Sequence, residues 1–131
     1  MYQSYMIEIA GGENVASDID DSYWATISYE QLIAYSPDVI IIAPGASYSI
    51  EDILNDSRLA SLNAIKNKQV YLMPDDFEQW DSPVPSSILG TMWLASVLHE
   101  DAYSYEKFVD DAVNFYKEFY NITIDRELLN R

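Results

Sequence analysis

The chain has 131 residues, enough for one compact domain and too few for two of ordinary size. Apolar residues make up 49% and aromatics 14%, which supplies a core and excludes wholesale disorder. Seven Lys and Arg against 22 Asp and Glu leave a net charge of −15, which repels phosphate backbones, excluding sequence-independent nucleic-acid binding and disfavouring anionic membrane surfaces.

Cysteine is absent, which removes disulfides, thiolate metal sites and a Cys nucleophile together. No run of 18 apolar residues could span a bilayer. The opening Met1-Tyr2-Gln3-Ser4-Tyr5-Met6 has neither the basic nor the apolar region of a signal peptide.

In chain order, the first ten residues set Met6, Ile7, Ile9 and Ala10 near one helical face, and Gly11-Gly12 stops that helix. Asn14-Val15-Ala16 is a short apolar stretch, the third and weakest strand candidate. An acidic loop, Asp18 to Asp21, follows it; this loop lacks the Gly and terminal Glu of a calcium loop and reads as a solvated turn. Ser28-Tyr29-Glu30-Gln31 reads as a capping box, opening a helix that ends near Tyr35, before Pro37.

Val39-Ile40-Ile41-Ile42-Ala43 is five apolar residues in a row, the pattern of a strand covered on both faces, and Pro44-Gly45 ends it. Residues 50–65 have helical spacing, broken near Asp56-Ser57. Gln69-Val70-Tyr71-Leu72-Met73 is a second strand, closed by Pro74. A Pro-rich loop, Asp75 to Pro85, carries Phe77 and Trp80 among acids. Ser86 or Ser87 caps the next helix, with Leu89, Met92, Trp93 and Val97 on one stripe. A last helix, about 104–120, is expected to bury Phe108, Val109, Ala112, Val113, Tyr116 and Phe119.

Helix, strand, helix, strand, helix, helix is an α/β alternation with crossovers long enough for parallel pairing. The expected fold is a three-layer sandwich on a small, mostly parallel sheet. Two clear strands are fewer than such sheets carry, which suggests that further sequence precedes this chain.

Ligands of open α/β sheets bind beyond the carboxyl ends of the strands, here the loops 44–49 and 74–85. Tyr48 and Trp80 lie in those loops, and Tyr23 and Trp24 lie in the loop before the capped helix. Together they offer an aromatic surface for a flat or bulky ligand. His99 stands alone at a helix end, where a donor suits exposed carbonyls. One His and no Cys give neither a zinc set nor a His- or Cys-based acyl-transfer triad, and no phosphate-binding Gly motif is present. No catalytic constellation, metal site or cofactor site follows from these residues.

Five pieces stand in a telling order: Ala10-Gly11-Gly12-Glu13-Asn14-Val15-Ala16; Trp24 with Ile27-Ser28-Tyr29-Glu30-Gln31-Leu32; Ser36-Pro37-Asp38-Val39-Ile40-Ile41; Leu62 to Tyr71; and Trp80-Asp81-Ser82-Pro83. From about residue 5 to 120 the chain resembles the C-terminal lobe of the substrate-binding proteins that serve ABC importers of iron–siderophore complexes, haem and cobalamin. The resemblance implies that residues 1–131 are one lobe, with an N-terminal lobe and a linking helix absent. It implies no catalysis, but capture of an iron chelate, haem or corrinoid between two lobes and delivery to an ABC permease. Carried over by position, Trp24, Tyr48, Trp80 and Glu78 bind ligand, and Asp81 docks on Arg residues of the permease, where the family more often has Glu. The implied location is extracytoplasmic, in a periplasm or as a surface lipoprotein, touching the membrane only through the permease or a lipid anchor. The alternatives are a free-standing acidic protein-interaction domain and a cofactor-handling metalloenzyme domain.

Overall fold

A computed structural model describes residues 2–19 and 24–129. The elements run α1 (Tyr2–Ile9), α2 (Tyr29–Tyr35), β1 (Ile40–Ile42), α3 (Ile50–Leu54), a 3₁₀ turn (Ser57–Leu59), α4 (Asn63–Lys66), β2 (Val70–Leu72), α5 (Ser87–Leu98), α6 (Tyr105–Tyr120) and a closing 3₁₀ turn (Arg126–Leu129). They group into two compact units, one of residues 14–73 and one of residues 2–13 with the chain from Pro74 onward.

The first unit holds the sheet. β1 and β2 pair in parallel with Ile40 opposite Val70, Ile41 opposite Tyr71 and Ile42 opposite Leu72. The ladder is extended at both ends, by Ile40 N–H donating to the Gln69 carbonyl (2.9 Å) and Met73 N–H to that of Ile42 (3.0 Å). An α/β fold with a small parallel sheet is therefore what the alternation of elements builds. Of the five-residue apolar run, three residues are strand, and only Ile42 is buried within it. Leu59, Leu62, Ala64, Val70 and Met73 complete this unit's core. Asn14-Val15-Ala16 is not a strand: Asn14 Oδ1 accepts from Ala16 N–H at 3.1 Å, folding the segment into a side-chain-closed turn. Asp20, Asp21 and Tyr23 lie outside the described residues.

α2 starts where Ser28 predicts, its side chain accepting from Gln31 N–H at 3.1 Å. The box is half made, because the Gln31 amide donates to Tyr35 Oη rather than back to Ser28. Ser36 ends the helix with φ 47°, its N–H shared between the Leu32 and Ile33 carbonyls.

The second unit is helical. α1 ends in a Schellman turn: Gly12 N–H reaches the Ile7 carbonyl (2.8 Å) and Gly11, at φ 84°, that of Glu8 (3.0 Å). Met6 and Ala10 are buried, whereas Ile9, expected on that face, is 76% exposed. α1 and α5 meet at Gly90, where a Cβ would lie 2.6 Å from Met6 Cε and 2.7 Å from the Trp80 carbonyl oxygen. Only a glycine lets the Trp80 backbone approach α5 so closely.

α5 buries Leu89, Trp93, Leu94 and Val97, and α6 buries Phe108, Val109, Ala112 and Tyr116 at helical spacing. Met92 and Val113 are half-buried, and Phe119 is 68% exposed. The phase of Phe119 fits the stripe, but its ring lies against Phe115, 5.0 Å away on the same helix, and stays largely open to solvent. His99 is the C-cap of α5, and its Nε2 lies 3.0 Å from the Gly11 carbonyl, so the helix end it satisfies is that of α1. No helix among the described residues is long and apolar enough to cross a membrane.

Candidate functional site

In the first unit, the chain leaves β1 through Ala43-Pro44-Gly45, where Gly45 takes φ 75° and Ala46 N–H closes on the Ala43 carbonyl (3.3 Å). Ser49 then caps α3 in a complete box. Its backbone N–H donates to Asp52 Oδ2 (2.7 Å), and its Oγ accepts from Asp52 N–H (3.2 Å). The Ser49 N–H, and then the Ser49 hydroxyl that also donates to Asp52 Oδ2 (2.9 Å), hold the Asp52 carboxyl below the ordinary carboxylate range. Tyr48 immediately precedes that box, so a half-exposed phenol stands on a stem fixed by hydrogen bonds.

Beside it is a cavity of about 370 Å³ walled by Ile27, Leu32, Ile53 and Leu59, with Tyr48 and Tyr29 as its aromatics. Its volume lies in the range of small-molecule sites. Trp24, 82% exposed, presents the largest uncovered aromatic side chain of the described residues.

The carboxylate of Asp56, also on this cavity, is fully engaged. Arg58 forks onto it through Nε (2.9 Å) and Nη2 (2.7 Å), Arg58 N–H adds a third bond (3.0 Å), and the Tyr29 hydroxyl donates a fourth (3.2 Å). The guanidinium lies 3.8 Å from the centre of the Tyr29 ring, a cation–π contact. Chiefly because of the Arg58 side-chain bonds, the Asp56 carboxyl is held down to about 2. Arg58 is thereby committed, and this cluster is structural rather than a waiting anion site.

The second unit carries the other expected residues. Trp80 has no accessible surface: its indole N–H donates to the Tyr116 hydroxyl at 3.1 Å and its ring meets Phe108 edge-on at 6.1 Å. It is a core side chain here, and not an open face for a ligand. Glu78 is half-buried, and its Oε2 accepts from the hydroxyls of Ser86 and Tyr120, the latter at 3.0 Å. Burial, and then the neighbouring Glu78 carboxylate, raise the Tyr120 phenol above its ordinary value. Asp81 is half-buried, and its backbone carbonyl accepts from the Gln3 amide of α1 at 3.2 Å.

Of the aromatics expected to meet ligand, Trp24 and Tyr48 in the first unit are exposed and Trp80 in the second is buried. The sequence missed Tyr29 and Arg58 as wall and brace of the cavity, though a Tyr one residue after a helix cap and an Asp-Ser-Arg turn were both visible. Among the described residues no group of three or more His, Asp or Glu side chains is arranged to hold a metal ion.

A small parallel sheet followed by aromatic loops at its strand ends is the layout of a solute-binding lobe. The periplasmic binding protein family is matched over residues 2–77, and the chain belongs to that family. It is 32% identical over 123 residues to the molybdate-binding protein MolA of Haemophilus influenzae, covering 91% of this chain and 34% of MolA. Among solved structures, a periplasmic solute binding protein of Veillonella parvula aligns with a TM-score of 0.85 and 28% identity over 98% of this chain and 40% of that one. Helicobacter pylori CeuE, solved with Ni(II) bound, aligns with a TM-score of 0.77 and 29% identity over 96% of this chain and 40% of its own. The chain spans about a third of the length of MolA and about two fifths of those structures. MolA and the Veillonella protein are binding proteins by name, not enzymes.

Proposed function

We propose that this chain is the C-terminal lobe of an extracytoplasmic solute-binding protein, which captures a metal-bearing solute and hands it to an ABC permease. The observation that carries the reading is the match to the molybdate-binding protein along 91% of the chain. Trp24 and Tyr48 are the side chains of this lobe that touch the solute, and Trp80 and Glu78 shape the loop next in sequence. Asp81 pairs with an arginine of the permease.

Within metal-bearing solutes, a chelate with an organic shell (siderophore, haem or corrinoid) suits this lobe better than a bare oxyanion. Exposed aromatics and an aliphatic cavity wall reward apolar ligand surface, and the guanidinium best set to meet an anion is taken up by Asp56. The relatives that bind molybdate and Ni(II) keep the oxyanion and the simple nickel complex as the competing solutes.

Titration of the polypeptide from the full reading frame with molybdate, nickel–histidine, a ferric catecholate, haem and cyanocobalamin, followed by calorimetry, tests this. Saturable binding of one of the chelates is the expected result. Binding of none of the five sinks the reading, and binding of molybdate alone overturns the preference for a chelate.

A further inference from the structure

The Pro-rich segment 74–86 has no helix or strand, and its own backbone closes only short turns, such as Ser82 N–H on Gln79 and Ser87 N–H on Val84. Its hold on the second unit comes from side chains. Phe77 stacks on Trp80 at 5.9 Å with nearly parallel planes and packs on Tyr116 at 5.4 Å. Trp80 donates to Tyr116, and Glu78 accepts from Tyr120. Tyr116 and Tyr120 are four residues apart on α6, so they share one helix face and their rings lie 5.3 Å apart. The loop is therefore laid along α6 by an aromatic pair on either side of one carboxylate. The same carboxylate oxygen accepts from Ser86, fully buried at the N-cap of α5, whose hydroxyl caps no backbone N–H of its own helix. One oxygen thus gathers the loop, the start of α5 and the end of α6.

We infer that Glu78 is a positioning residue rather than a ligand contact: with Ser86 and Tyr120 it forms a latch that fixes the backbone carrying Trp80 and Asp81. The functional consequence rests on the binding-protein reading; the latch itself does not. A carboxylate suits this place because hydroxyl bonds to it are charge-assisted and stronger than those to a neutral acceptor.

Hydrogen exchange on the chain itself tests the latch without any solute. Loss of charge-assisted bonds predicts about tenfold faster exchange of the 76–84 amides in Glu78→Ala and a smaller rise in Tyr120→Phe, with the β1 and β2 amides unchanged. Glu78→Gln, which keeps an acceptor oxygen but loses the charge, should restore part of the protection. In the Glu78→Ala background, Tyr120→Phe should add nothing. Wild-type exchange in Glu78→Ala, or fully additive effects of the two changes, would overturn the latch. A parallel titration of the full-reading-frame protein with molybdate as probe, wild type against Glu78→Gln, tests the role assigned to the carboxylate. Affinity within about twofold supports positioning, whereas a loss of about tenfold with loop exchange unchanged makes Glu78 a ligand contact. Should molybdate bind neither protein, as the preference for a chelate expects, the same comparison is made with the chelate that binds, and the exchange data decide the latch independently.

Discussion

The two units of this chain solve the same problem, holding a loop in place, with opposite materials. In residues 14–73 the sheet is two strands of three residues, the helices are four to seven residues long, and caps do much of the holding: Ser28 on α2, the Ser49–Asp52 box on α3 and Asp56 on the turn after it. In the second unit, helices of 12 and 16 residues pack Trp80, Trp93 and Phe108 with essentially no exposure. Hydrogen-bonded caps leave Trp24 and Tyr48 free to face solvent, whereas aromatic packing consumes the Trp it anchors. An aromatic residue in a strand-end loop is therefore available to a ligand only where something else fixes the loop.

The sharpest way to break this contrast is Trp80→Ala. Losing a buried indole and stranding Tyr116 should cost the second unit about 3–5 kcal/mol in urea unfolding. A loss below about 1 kcal/mol would mean that Trp80 is not the anchor. Gly90→Ala should follow at about 1–3 kcal/mol, since its methyl meets the Trp80 backbone as well as the flexible end of Met6. Wild-type stability in that variant would contradict the close approach of the Trp80 backbone to α5.

A smaller effect, confined to acid, is expected in the first unit. The folded Asp56 carboxyl sits at about 2, below the ordinary 3.8. The stability it contributes is therefore full above the ordinary value and is lost as pH falls from there toward about 2. Asp56→Asn should flatten the acid limb of a stability-against-pH curve in that window, while an unchanged limb would show that the Arg58 fork adds nothing. Trp24→Ala should be smallest, within about 0.5 kcal/mol of wild type in thermal unfolding, because an exposed side chain gives up little on removal. A larger loss would mean that Trp24 belongs to the core.

Much of this was legible from local chemistry. Ser28 before an apolar run, Gly11-Gly12 after one, and Pro on the far side of both strands mark the ends of elements because caps and breakers act within one turn. Less legible was what lies across from each residue. Ile9 and Phe119 have the right helical phase for burial, but phase does not reveal whether a neighbour covers that turn. Val39 to Ala43 reads as fully enclosed, yet its burial depends on elements that no local pattern displays. At the candidate site, resemblance marked Trp24, Tyr48, Trp80 and Glu78 for ligand; Trp24 and Tyr48 are exposed, Trp80 is buried, and Glu78 is tied to two hydroxyls that nothing local announced. Its partners, Ser86 and Tyr120, are 8 and 42 residues away, a juxtaposition that only the packing of α5 and α6 creates.

The central claim, that solute is met by the capped and open unit, can be read directly by fluorine NMR of the full-reading-frame protein labelled with 5-fluorotryptophan. Adding the solute that binds should shift the Trp24 resonance and leave those of Trp80 and Trp93 in place. Saturable binding that moves the two buried tryptophans and leaves Trp24 untouched would contradict the account.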